Sequence, residues 1–430
     1  MMERYREYKD SGVKWLGEIP SHWEVMPLKS FIKFEKGKTP KEFSDENNGL
    51  PYLTMDYLRS RDNKIVKYPI SSVGLFKIEE FEALVLWDGA NAGEFILSKK
   101  GYLGSTMAKI SGYRKYYNNL YFYYFLKMLE PTSKNFANGT TIPHFDASIL
   151  INYHYPIPPI DEQKAIGSYL DSATSEIDKA IAMQEKMIDL LNERKQIIIQ
   201  NAVTKGLDEN VEMKESGVES IGRIPIGWKI KKLKYVMRSF GRIGFRGYGT
   251  KDIVDEGQGA ITLSPSNIQE SSMDYSKRTY LSWNKYYESP EIMIENGDVL
   301  MVKTGSSYGK CAIVKNMPME CTINPQLVVF KEHTEMPEYL AYCFQTSFAK
   351  FFINASVIGG TIPTISQEKI NNYVFPFPMK SEQQQIVTYL DSEMQRFDSA
   401  ITNCQRQITL LQERKQIIIN EVVTGKVRVL

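Results

Sequence analysis

The 430-residue chain is too long for one ordinary domain, so two or three are expected. Its hydrophobic share of 42% and its 26 Tyr and 20 Phe exclude a disordered chain. The net charge of +2 decides nothing as a total, because a near-neutral chain can carry a local basic face.

The opening MMERYREYKDSG is charged and lacks an apolar h-region, so no signal peptide is expected. Next comes a stretch with short strand-like runs, EALVLW and EFILS, and an aromatic-rich helix near 119–129. That helix is the most hydrophobic segment, yet it is too short to span a bilayer and holds Lys127, so a cytoplasmic protein without membrane contact is expected. Pro156, Pro158 and Pro159 close the stretch.

From 163 to about 203 there is no proline and only Gly167 as a breaker. Ile166, Leu170, Ala173, Ile177 and Ala180, then Ile188, Leu191 and Ile198, recur mostly at three and four, with a slip of phase near Gln184. This predicts a helix of about 40 residues, roughly 60 Å long, whose apolar seam needs a partner.

The second half repeats the first. SGVKWLGEIPSHWEVMPLK from Ser11 matches SGVESIGRIPIGWKIKKLK from Ser216, and the 32 residues from Thr141 match those from Thr361 without a gap. NERKQIII from Asn192 matches QERKQIII from Gln412, and both run on to a Val-Thr pair. The stretch between the matched anchors is shorter in the first half, so the flanks are alike and the middles have diverged. Strand-like GDVLMVK, CAIVK and QLVVF and an aromatic helix near 338–352 fill the second middle. A second long helix follows Pro376 and Pro378, with Ile386, Leu390, Phe397, Ala400, Ile408, Leu411 and Ile418 on its seam and the same slip near Cys404.

The expected fold is α+β: two globular domains related by pseudo-two-fold symmetry and joined by two long antiparallel coiled-coil helices. The expected limits are 1–158 and 209–378 for the domains, and 159–208 and 379–430 for the helices; strand order is not readable. Cys311, Cys321, Cys343 and Cys404 form no C-x-x-C pair and are read as reduced thiols.

This layout, with IPSHWE and IPIGW at the domain starts, GTTIP and GGTIP at their ends, and Glu162–Gln163 and Glu382–Gln383 after the prolines, resembles the specificity subunits of type I restriction–modification enzymes over essentially the whole chain. The resemblance implies a non-catalytic DNA reader with two target-recognition domains, each reading one half of an asymmetric bipartite site. It implies that the helices set the spacer and dock two methyltransferase subunits, with two restriction subunits completing the enzyme. S-adenosylmethionine, ATP and magnesium would be bound by those partners, and none by this chain.

Double-stranded DNA needs donors for phosphates and forked or amide side chains for base edges. In the first domain Lys36, Lys38, Thr39 and Lys41 lie in GKTPKEF and its flank, Asp88 and Asn91 in the turn WDGANAGEF, and Ser105, Thr106 and Lys109 in GSTMAK. In the second, FGRIGFRGYGTK offers Arg242, Arg246, Tyr248 and Lys251, KTGSSYGK offers Lys303, Ser306, Ser307, Tyr308 and Lys310, and TINPQ offers Asn324 and Gln326. The segment 223–251 carries nine basic residues and no acidic one. Each glycine turn is equally well a plain hairpin, and the basic segment equally well a solvated surface. The repeated GT-x-I-P, with Thr140, Thr141 and Thr361, either touches phosphate or redirects the chain. Arg194 and Arg414, in the repeated ERKQIII, are candidates for partner docking, and the isoleucines there for the helix seam.

No catalytic or metal site is defensible. Gly37–Lys38–Thr39 looks like the end of a P-loop, but Ile32 stands where its first glycine belongs. Asn324–Pro325 is followed by Gln326 and Leu327, not by the Pro and aromatic of an amino-methyltransferase motif. His22, His144, His154 and His333 have no metal-ligand spacing and are read as structural. Two other readings remain: a coiled-coil scaffold with two protein-binding modules, and a fused methylase–nuclease, for which this length leaves no room.

Overall fold

A computed structural model describes residues 3–47, 49–60, 66–113, 116–136, 143–269, 271–359 and 362–429. The chain forms two compact units, Met1–Glu185 with Gln405–Leu430, and Lys186–Cys404. Each unit therefore contains one end of each long helix, Ile160–Lys205 and Lys380–Val423. At 1.5 Å per residue these helices are roughly 65–70 Å long.

In the first unit a four-stranded antiparallel sheet has the order Phe95–Leu97, Ala83–Leu86, Met107–Gly112, Ile32–Lys36. The apolar run at its centre does not alternate with polar residues because both faces of the strand are covered. Ala83 and Val85 enter one core with the aromatic helix, while Leu84 and Leu86 enter a second with Leu53, Ile78 and Leu103. That second core lies under a small mixed sheet in which Gly101–Leu103 runs parallel to Tyr52–Leu53 and antiparallel to Lys77–Ile78.

The second unit repeats this plan. Its sheet order is Arg238–Phe240, Leu327–Lys331, Val299–Val302, Cys311–Ile313. Val299 and Met301 face one core, and Leu300 and Val302 the other. The mixed sheet again has one parallel pair, Gly259–Leu263 with Cys321–Ile323, and is extended to five strands by Ile253–Val254 and Tyr280–Ser282. In the first unit the corresponding pair, Phe43–Ser44 with Tyr68–Pro69, stands as a separate two-stranded sheet.

The aromatic helix Asn119–Asn135 is capped by the Asn118 side chain, which accepts from the backbone N–H of Leu120 and Tyr121. It buries Tyr121, Phe122, Phe125, Leu126 and Leu129, each contributing about 1.5–3 kcal/mol if fully removed from water. Its counterpart differs from the single helix expected: Pro337–Cys343 and Ser347–Ser356 are separate. Thr346 sits between them, and its hydroxyl accepts from Ala349 N–H, which starts a new helix there.

The repeated flanking phrases meet in space within each unit. Glu24–Pro27 pairs with His154–Ile157, and Lys229–Lys232 with Val374–Phe377, so a strand near the start of each domain closes on its last strand. The buried Trp23 indole donates to Glu162 Oε1 at 3.1 Å, and Trp228 donates to Glu382 Oε1 at 3.1 Å. Gln163 Oε1 accepts from Asn118 N–H and Gln383 Oε1 from Met336 N–H, while both amides donate to the proline carbonyl before their helix. The Glu-Gln pair thus ties the start of each long helix to its own globular domain.

Helix pairing is antiparallel within each unit. In the first, Tyr121 OH donates to Pro156 O and Val423 O, placing the end of the distal helix beside the start of the central one. Tyr339 OH does the same to Pro376 O and Val203 O in the second. Lys415–Asp178 and Lys195–Asp398 are matching ion pairs at 2.7 and 2.6 Å, one in each unit. Each helix ends on a glycine in the left-handed region, Gly206 at φ +78° and Gly425 at φ +73°. Cys311, Cys321 and Cys343 are buried free thiols, and Cys404 is half-buried and free.

Candidate nucleic-acid interface

In the first unit three loops and the chain leaving the domain converge at one end of the four-stranded sheet. Gly37 N–H donates to Met107 O, and a Cβ at Gly37 would lie 2.2 Å from Gly104 O. The glycine of GKT therefore serves a close backbone approach, not a phosphate cradle. Thr39 Oγ1 donates to Ser105 Oγ at 2.8 Å, and Ser105 N–H to Tyr52 OH at 3.0 Å. Trp87 and Asp88 N–H both donate to Thr106 O, and Gly89 N–H donates to Pro143 O.

Asp88 is the centre of this cluster. Its Oδ2 is 2.9 Å from Lys36 Nζ and its Oδ1 2.6 Å from His144 Nδ1, while Lys36 also lies over the Trp87 ring. Burial pushes the Asp88 carboxyl up, but Lys36 and His144 together outweigh it and hold the group below the ordinary carboxylate range. Lys38, Lys41, Asn91 and Thr106 are exposed around this centre. Lys109 is not: it pairs with the buried Glu82 at 2.6 Å and belongs to the domain interior. Thr140, Thr141 and Thr361 lie outside the described residues.

The second unit brings the equivalent segments together with different side chains. Lys303 and Thr304 N–H donate to Gln326 O, Gly305 N–H donates to Pro363 O, and Thr304 bridges Thr364 as Asp88 bridges His144. Lys303 is half-buried, and burial lowers its pKa; no ion pair holds it among the described residues. Ser306 and Lys310 are exposed, Ser307 is half-buried, and Tyr308 OH donates to Asn354 Oδ1. Gln326 is exposed, and its Oε1 accepts from Asn324 Nδ2 at 3.0 Å.

Two further candidates are corrected by burial. Arg242 is 5% exposed, donating from Nε to Ile323 O and from Nη2 to Thr322 Oγ1, with Tyr248 stacked on its guanidinium. Asn324 is 8% exposed and braces the loop rather than presenting its amide. Nor is 223–251 a continuous basic face. Lys231 pairs with Glu335, Arg238 with Glu332 and Arg246 with Glu291, all acids from elsewhere in the chain, while Lys229, Lys232, Lys234 and Lys251 are exposed. The site residues overlooked in the sequence are Trp87, His144, Thr304 and Thr364. The signal for His144 and Thr364 was present, since both directly follow the repeated T-I-P.

The long helices carry an outward apolar stripe in matching positions. Leu190 and Ile197 on one, and Leu410 and Ile417 on the other, are about half exposed, with Arg194 and Arg414 exposed beside them. Of the isoleucines in ERKQIII, Ile199 and Ile419 are buried, Ile198 and Ile418 are partly buried against the same cores, and Ile197 and Ile417 are exposed, so two of each three belong to the seam. No helix among the described residues is long and apolar enough to cross a membrane, and no group of His, Cys, Asp and Glu among them could hold a metal.

Residues 20–185 and 248–412 match the family model of the type I restriction modification DNA specificity domain. The chain is 31% identical to the type I restriction enzyme MjaVIII specificity subunit of Methanocaldococcus jannaschii, covering 100% of this chain and 98% of that protein. It is 20% identical to the EcoBI specificity subunit of Escherichia coli, over 98% and 90% of the two chains. A solved structure concerned with complex assembly and conformational transition of the type I R-M system matches with a TM-score of 0.69 at 14% identity, over 94% and 98% of the chains, a likeness of fold.

Proposed function

The chain belongs to the type I restriction–modification DNA specificity family, and on that premise we propose that it is the non-catalytic subunit through which such an enzyme finds its DNA sequence. Each unit reads one half of an asymmetric, split site. The observation that carries this is the same convergence of loops in both units, filled by Lys36, Asp88 and His144 in one and by Lys303, Thr304, Thr364 and Gln326 in the other. Like scaffolds with unlike side chains suit two different half-sites.

The length of the two helices governs the unread stretch between the halves; successive major-groove faces recur every ~34 Å. Two methyltransferase subunits dock on the outward stripes around Leu190 and Ile197, and around Leu410 and Ile417, with Arg194 and Arg414 at their edges. Two restriction subunits complete the enzyme. S-adenosylmethionine, ATP and magnesium belong to those partners, and the assembly works in the cytoplasm. The domain limits for exchange are 1–158 and 209–378.

The test is adenine-methylation mapping in cells that carry the cognate methyltransferase with or without this chain. Methylation at one split asymmetric motif that vanishes without the chain is expected. Exchange of 209–378 for another such domain is expected to change one half of the motif only. An active methyltransferase whose pattern is indifferent to this chain would overturn the reading and favour a protein scaffold.

A further inference from the structure

Three features of the Asp88 cluster separate it from a general phosphate contact. First, its two cationic or polar partners are fixed by one carboxylate: Lys36 Nζ on Oδ2 and His144 Nδ1 on Oδ1, so they stand side by side. Second, both partners are open to solvent, at 48% and 59% side-chain exposure, while Asp88 beneath them is at 25%. Third, among the described residues nothing equivalent stands in the second unit, where Thr304 and Thr364 hold the matching positions.

An ionised carboxylate only accepts, so the proton between Asp88 and His144 sits on Nδ1 and the imidazole turns Nε2 outward. Lys36 has three donors, of which Asp88 takes one. The cluster therefore presents an ammonium donor next to an imidazole nitrogen. In the major groove only purines place an acceptor, N7, beside a second polar group at position 6, which is an acceptor in guanine and a donor in adenine.

We propose that the Lys36–Asp88–His144 cluster reads one purine in the half-site of the first domain, Lys36 taking N7 and His144 Nε2 discriminating at position 6. Asp88 is a positioning residue that holds the pair in register. This rests on the DNA-reading role proposed above and names the chemistry of one of its two half-sites.

The experiment maps methylation in cells carrying the full methyltransferase complex with Lys36→Met, Asp88→Asn or His144→Ala. His144→Ala is expected to lower discrimination between guanine and adenine at one position roughly 10- to 100-fold, while the purine requirement remains. Lys36→Met is expected to remove the purine requirement at that same position. Asp88→Asn is expected to blur both. The second half of the motif stays unchanged throughout, which reports intact folding and assembly.

An unchanged first half in His144→Ala and Asp88→Asn, with methylation continuing, overturns the proposal. So does a fall in methylation that is equal for every base at every position, which marks a phosphate contact. A variant that methylates nothing is read by competition binding of the purified complex to duplexes differing at that purine, and retained discrimination overturns the proposal as well. Failure of the DNA-reading role itself looks different, because the unaltered chain would then direct no methylation pattern.

Discussion

The two Trp–Glu clamps occupy matching positions but differ in what they carry, and Glu162→Ala compared with Glu382→Ala turns that difference into a measurement. Glu162 accepts from Trp23 Nε1 at 3.1 Å and Tyr5 OH at 2.6 Å, and lies 2.8 Å from His22 Nε2. Glu382 accepts from Trp228 Nε1 alone among the described residues. A hydrogen bond to a charged acceptor contributes about 1.5–3 kcal/mol, and a buried donor left without a partner costs about 1–3 kcal/mol. Trp23 and Trp228 are both buried, so each variant strands an indole N–H. The partners Tyr5 and His22 regain water in part, which leaves Glu162→Ala at about 3–5 kcal/mol and Glu382→Ala at about 1.5–3 kcal/mol.

Because the chain has two units, a single unfolding free energy is not the right readout. Amide hydrogen exchange reports each unit separately. Glu162→Ala is expected to speed exchange in 20–27 and 160–167 by at least about tenfold more than Glu382→Ala speeds it in 225–232 and 380–387, a difference of about 1.4 kcal/mol. Equal increases in the two units would refute the reasoning, because the Tyr5 and His22 contacts would then contribute nothing.

Gly37→Ala forces a Cβ to within 2.2 Å of Gly104 O and is expected to destabilise the first unit by about 1–3 kcal/mol, with half-site selectivity lost in methylation mapping. Glu130 is held by Lys127, Lys134 and Phe95 N–H, and although burial pushes its carboxyl up, these partners win and keep it below the ordinary range. A depressed folded pKa stabilises above the unfolded value near ~4.3 and is lost as pH falls through the folded value. Glu130→Gln is accordingly expected to flatten the acid limb of first-unit exchange below about pH 4.3. Arg242→Ala is expected to destabilise the second unit by about 1–3 kcal/mol in the same exchange assay, since Thr322 Oγ1 and Ile323 O lose the guanidinium donor. Lys251→Ala, at an exposed position, is expected to leave stability unchanged and lower the salt dependence of DNA binding. Leu190→Lys with Ile197→Lys is expected to lower the co-purifying methyltransferase from two subunits to one and leave exchange in both units unaltered.

The sequence by itself determined the elements with a long, regular period. The 3.6-residue pattern from Ile166 to Ile198 identifies a helix because apolar side chains must fall on one face to be buried, and the internal repeat states that the pattern occurs twice. The same reasoning singled out the loops that meet at the candidate interface, since Gly-rich turns between apolar strands must cluster at a sheet end. What only the tertiary structure decided is the fate of individual polar side chains. Arg242 and Lys109 look like surface cations in one dimension, yet each meets its partner across the fold, Thr322 and Glu82. The acids that neutralise much of 223–251 come from residues 291, 332 and 335. His144 becomes part of a cluster only because the chain leaving the domain returns beside the turn that holds Asp88. Periodicity is a local property of the chain and survives in the sequence; charge pairing and burial depend on which distant segments the fold makes neighbours.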